Sequence, residues 1–315
     1  MRRMMLGALL LLLTAPGWGA DREAAKQLLR QGNGFYDRDQ FAESAASYTQ
    51  ALQQDPQFLE AYYNRALANE MVDRQKAIED WQHFAELAAP DAGFKYQVAQ
   101  ANARLQILRS LPEYPEALQP SHYVASALDY FYRISVSSES ARWETFPIKV
   151  SLGNAPTSNW AQGTREAFDI WKAMFPLELV AGPERADIRV EWELAPGEES
   201  HAGEELDWVQ IRRVGGELTG RKVAIITVDL SRRWSKDEMR AIMLHEMGHA
   251  LGIKGHSESK GDIMYFQIQE GSHEVVVPRV PYPIFWKSLV SKPSQRDLNT
   301  LIRLYNTPGA VVRLE

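Results

Sequence analysis

The chain of 315 residues contains no cysteine. Disulfide staples are excluded, and so is any latency device that plugs a metal with a thiolate. The fold must be held by its apolar core, or by a bound metal. Charge of one sign is also scarce. With 35 Lys and Arg against 41 Asp and Glu, the net charge is only −6. A nucleic-acid face needs a basic excess, so no nucleic-acid partner is expected. Long apolar runs are missing beyond residue 20, so no membrane span is expected in the mature chain. The first twenty residues themselves pair Arg2 and Arg3 with a short apolar core and the small-residue run "APGWGA". This is the pattern of a secretory signal peptide, residues 1–20, which would place the mature chain in the periplasm or outside the cell.

What is present divides the rest of the chain. Residues 21–110 read as one helix after another. Gly32 and Ala66 lie 34 residues apart as small residues where helices touch, and Tyr48 and Trp81, like Ala51 and Phe84, recur at a spacing of 33. Gly32, Phe35, Ser44, Tyr48, Ala51 and Pro56 occupy signature positions of a helix–turn–helix unit, which resembles the tetratricopeptide repeat (TPR). Two repeats bury little surface alone, so the segment Ala92 to Leu111 is expected to cap the stack. The resulting groove has two readings: a protein-partner site, or an empty scaffold.

Residues 111–145 connect. "LPEYPEALQPSHY" is proline-rich, and "VASALDYFYRI" reads as one more helix. From residue 146 the composition changes. Ile148, Val150 and Leu152 alternate as in a strand, as do Ile188, Val190 and Trp192, and "KVAIITVDL" reads as a strand apolar on both faces. The order is strand, helix, strand, strand, hairpin, strand, helix. The fold class is therefore α+β: an all-α repeat module followed by a mixed α/β domain.

The last strand leads into "SKDEMRAIMLHEMGHALG". Ser235 and Glu238 have capping-box spacing, and Gly252 is placed to end the helix. His245 and His249 are one turn apart, so their rings share a side. Two imidazoles so placed suit zinc, and Glu246 leans over the same site as a carboxylate able to take a proton from a water that the metal acidifies. His256 follows as a third ligand. Glu270, the alternative, belongs to no evident helix, and His256 is preferred. His83, His122, His201 and His273 read as solvated or structural.

His245, Glu246, His249, Gly252, His256 and Met264 together resemble the metzincin zinc proteases, and "DIMY" is most similar to the matrixin branch. The capped helix at "PSQRDLNTLIRLYN" is similar to the last matrixin helix, with Leu298, Leu301, Ile302 and Tyr305 on its inner face. The resemblance implies a zincin-like metalloprotease domain over residues 146–315 and one catalytic Zn2+ held by His245, His249 and His256. It also implies Glu246 as general base, and a protein or peptide substrate paired with an edge strand near Ala202 to Arg212. Met264 would pack beneath the ligands. One departure stands out: the third histidine comes seven residues after the second, where the family has six. Lys254 or a neighbour is the extra residue, and Gly252 and Gly255 make the longer loop feasible. The aromatic residues Tyr282, Phe285 and Trp286 read as core packing before a pocket wall. Another reading of the chain is a TPR interaction protein whose protease-like domain is inert, and a third is a zinc hydrolase of non-peptide amides.

Overall fold

The computed structural model describes residues 21–134, 142–193, 203–214, 217–230, 233–265 and 290–308. The signal-like segment, His201, Glu270, His273, Tyr282, Phe285 and Trp286 lie outside them.

Five helices open the described chain: α1 (Arg22–Tyr36), α2 (Phe41–Gln54), α3 (Leu59–Asn69), α4 (Arg74–Ala88) and α5 (Lys95–Ser110). Each packs on the next. Gly32 permits the first contact: a Cβ there would lie 2.4 Å from a Tyr48 ring carbon. Ser44 Oγ donates to Gly32 O (2.9 Å), so the serine at this small-residue position adds a hydrogen bond between the helices. In the second repeat, Glu70 is buried and accepts from Trp81 Nε1 (2.8 Å) and from Arg104 of α5 (2.7 Å), which ties the capping helix to the pair before it.

The connecting segment is part of the second core. Tyr114, Leu118, Tyr130, Phe131 and Trp143 are buried there with the strand and helix residues that follow. The single helix expected over "VASALDYFYRI" is instead a 3-10 turn at Ala125–Ala127, a bend with Leu128 at φ 61°, and the short helix α6 (Phe131–Ile134). Tertiary hydrogen bonds override local propensity here. The Asn299 amide donates to Val124 O and Leu128 O and accepts from Val124 N, holding the segment extended.

The α/β domain has strands β1 (Ile148–Ser151), β2 (Leu177–Leu179), β3 (Ile188–Glu193), β4 (Gly203–Val214) and β5 (Glu217–Asp229) in the order β2-β1-β3-β5-β4. All neighbouring pairs are parallel except β4, which runs antiparallel to β5 from Gly203↔Val228 to Val214↔Glu217. β4 is thus the sheet's edge, and it covers the stretch expected to carry one. In β5, Val223, Ala224, Ile226 and Val228 are fully buried while Ile225 and Thr227 are half-buried, so one face is more enclosed than the other. Helices α7 (Ser158–Lys172) and α8 (Lys236–Ala250) cross closely at Gly163, where a Cβ would lie 2.4 Å from Lys236 O. Trp171 Nε1 of α7 donates to Leu244 O of α8.

Helix α9 (Gln295–Asn306) differs from the one-faced helix expected. Leu301, Leu304 and Tyr305 join the α/β core, Ile302 joins the repeat core, and Leu298 is only half-buried. The helix is buried nearly all round because the connecting segment packs along it, while Ile302 and Arg303 reach the repeats. Arg303 crosses the seam, 2% exposed, donating to Asp39 of the α1–α2 turn (3.0 Å), Asp129 (3.0 Å) and Tyr132 OH (2.7 Å).

Candidate metal centre

Helix α8 begins with the expected capping box: the Ser235 hydroxyl accepts from Glu238 N, and the Glu238 carboxylate accepts from Ser235 N. It ends in a Schellman motif. Gly252 N donates to His249 O and Ile253 N to Gly248 O, with Gly252 at φ 124°. The carbonyls left over at this end also find donors, Ala250 O from Trp143 Nε1 and Leu251 O from Tyr305 OH, both at 2.8 Å. The helix end is therefore rigid, and the chain turns back under its last turn.

That return brings the third histidine home. The ligand atoms of His245, His249 and His256 all lie within 4.8 Å of one another, and the ring centroids are 4.8–5.2 Å apart. The extra residue does not keep His256 away. Gly252 supplies the left-handed turn that lets the chain double back; Gly255 does not adopt a positive φ.

Two rings have fixed tautomers. His245 Nδ1 contacts Ile263 O (2.7 Å) and His249 Nδ1 contacts Ile253 O (2.5 Å). A carbonyl oxygen only accepts, so both Nδ1 atoms carry the proton and both Nε2 atoms keep a lone pair. Burial pushes the His245 imidazole down to about 4. It also pushes His249 well below its ordinary value, with the neighbouring His245 adding to the effect, and lowers His256. All three are neutral at pH 7, the protonation state a metal requires. This donor set fits zinc: three neutral imidazoles converging on one point, two of them oriented by backbone carbonyls.

Met264 is fully buried, and its Sδ lies against Gly248, the residue before His249; a Cβ on Gly248 would come within 2.4 Å of that sulfur. Met264 thus packs directly against the helix that carries both histidines. Its turn is tied on both sides. Ser257 N donates to Met264 O (2.7 Å), and Ile263 N donates to Asp297 Oδ2 of α9 (3.0 Å). Asp297 also accepts from Tyr130 OH (2.6 Å) and Ser294 N (2.7 Å). One residue of the turn, Ile263, therefore connects α9 to His245.

Residues 141–279 match the family model of the matrixins. This part of the chain is matrixin-like. Residues 32–72 match the model of the TPR repeat. No curated protein matches the chain.

In the matrixin-like domain, Glu246 is 7% exposed and packs under the start of β4, where a Cβ on Gly203 would lie 2.9 Å from its Cγ. The general-base candidate, the three histidines and the sheet's edge strand thus share one location. His83 lies elsewhere, its ring 4.8 Å from that of Tyr62, and His122 sits at the surface beside Glu116. Sequence reasoning missed Gly203, Gly248, Asp297 and Glu205, whose carboxylate meets Lys254 of the ligand loop. A signal existed for two of them: Gly248 is a costly glycine inside a helix, and Asp297 is the N3 residue of the capping box that Ser294 begins. Nothing in the sequence pointed to the other two.

Proposed function

We propose that the chain is an exported zinc-dependent endopeptidase. The observation that carries this is the convergence of three neutral imidazoles within 4.8 Å beside Glu246, at the edge of the sheet. The matrixin match supports the reading, and residues 1–20 support export.

His245, His249 and His256 would hold the ion. Zinc in such a site acidifies water and polarises a carbonyl. Glu246 takes the proton from the attacking water and delivers it to the departing amine nitrogen as the peptide C–N bond breaks. Burial beneath β4 limits solvent around its carboxylate. The outer edge of β4 pairs with no strand among the described residues. A substrate can add there as a further strand, its main chain hydrogen-bonded along the edge. The repeats offer a helical surface for a protein contact.

The test is Glu246→Ala. The variant should bind one zinc per chain and leave casein uncut, while the wild type cleaves it. Cleavage by the variant at the wild-type rate would remove Glu246 from the mechanism. A zinc-loaded wild type that cuts no peptide would favour an inert, partner-binding role.

A further inference from the structure

Lys254, in the lengthened metal loop, has a partner. Lys254 Nζ lies 2.6 Å from Glu205 Oε2, with side-chain exposures of 19% and 4%. Lys254 sits between Ile253, whose carbonyl orients His249, and the Gly255–His256 step. Glu205 is the third residue of β4. Side chains alternate along a strand, so Glu205 shares with Gly203 the face turned toward α8. Gly203 has already brought that strand in as close as a residue without a side chain allows: a Cβ would stand 2.9 Å from Glu246 Cγ and 3.1 Å from Ile242 Cγ2. The start of β4 is thus held at two points on one face, by a steric stop at Gly203 and an ion pair at Glu205.

We propose that Lys254 and Glu205 are positioning residues that clamp the edge strand to the ligand loop and so set where a bound peptide lies relative to the histidines; this rests on the protease reading above. A buried ion pair is poor evidence of added stability, since apolar side chains of similar size hold a fold as well. Its distinctive contribution is geometric. A nearly buried carboxylate has one low-energy place to be, against its cation. The longer loop therefore does more than deliver His256: its Lys254 reaches across to the strand on which the substrate docks. Gly203 alone sets only how near the strand can come. The ion pair keeps it from moving away.

Three variants of the full chain test this: Glu205→Gln, Lys254→Met and the charge swap Glu205→Lys/Lys254→Glu. Two measurements are needed. The first is hydrogen–deuterium exchange of the 203–206 amides in the zinc-loaded protein, which does not depend on turnover. Exchange should quicken about tenfold or more in each single variant and return toward wild type in the swap. Unchanged exchange in the single variants, or a swap that restores nothing, overturns the clamp. The second is steady-state kinetics on fluorescein-casein. With one zinc retained, KM should rise about tenfold while kcat stays within about threefold, because a misplaced docking strand weakens substrate positioning. An unchanged KM, or loss of zinc in both single variants, overturns the proposal in favour of a purely structural pair. A wild type that holds zinc and cuts no casein would count against the protease reading, and the exchange result would still decide the clamp.

Discussion

Gly248→Ala sets two effects of known sign against each other. Alanine in place of glycine inside a helix is worth about 1 kcal/mol in favour of the variant. Packing opposes it. The added Cβ would stand 2.4 Å from Met264 Sδ, whereas non-bonded heavy atoms rest at roughly 3.5–4.0 Å. The sulfur must retreat by about 1 Å or more, but Met264 is fully buried and Ile263 Cδ1 already lies 3.6 Å from the same point. Overpacking of this kind costs about 1–3 kcal/mol, so packing should win by about 1–2 kcal/mol at the upper end of that range. The displacement also reaches the ligands, because Met264 O holds Ser257, the neighbour of His256, and Ile263 O orients His245. Disturbing such supporting contacts typically lowers metal affinity about 10–100-fold. Urea unfolding of the metal-free protein, with chelator competition for zinc, measures both effects. The double variant Gly248→Ala/Met264→Ala should recover part of the zinc affinity, since it removes the sulfur the methyl strikes. A Gly248→Ala protein more stable than wild type, with unchanged zinc affinity, would refute the claim that the Met turn is packed tightly into the helix.

Two further predictions follow from the buried groups. The His245 imidazole is held at about 4 in the folded metal-free chain against about 6.5 when unfolded, so the unfolded chain binds more protons between those values. The His245 contribution to the stability of the metal-free protein is then full above pH 6.5 and falls by about 3 kcal/mol as pH drops toward 4, and the lowered His249 and His256 add losses of the same sign. Guanidinium unfolding should show a shallower dependence for His245→Gln, with the slope left by His249 and His256 remaining, and equal slopes would contradict the assignment. Arg303→Met leaves Asp39 and Asp129 without their shared cation and should cost about 3–5 kcal/mol. Calorimetry and limited proteolysis of the seam between repeats and α9 check it; a loss under about 1 kcal/mol would show that the seam does not depend on Arg303.

Local chemistry made much of this protein legible. Capping boxes at Ser235 and Ser294, the glycine stop at Gly252 and the one-turn spacing of His245 and His249 are short-range rules, and the structure obeys each of them. Gly32 was readable for the same reason, since close helix contact needs a small residue. The failures are long-range. "VASALDYFYRI" has helical propensity, but Asn299, 171–175 residues away in the chain, captures its backbone. The burial of α9 on two sides depends on the connecting segment packing along it and on the repeats meeting Ile302 and Arg303, and no periodicity within twelve residues encodes that. Glu205 and Lys254 are 49 residues apart, and only the folded sheet edge brings them together. The seven-residue spacing before His256 was visible as an irregularity. What it accommodates emerged only from the fold.

The central claim is that His245, His249 and His256 bind one zinc together. Zinc K-edge X-ray absorption on the loaded protein tests it most directly. The wild type should show three imidazole ligands at about 2.0–2.1 Å, and His256→Ala should show two. A wild-type spectrum with only two imidazoles, unchanged in His256→Ala, would contradict the account.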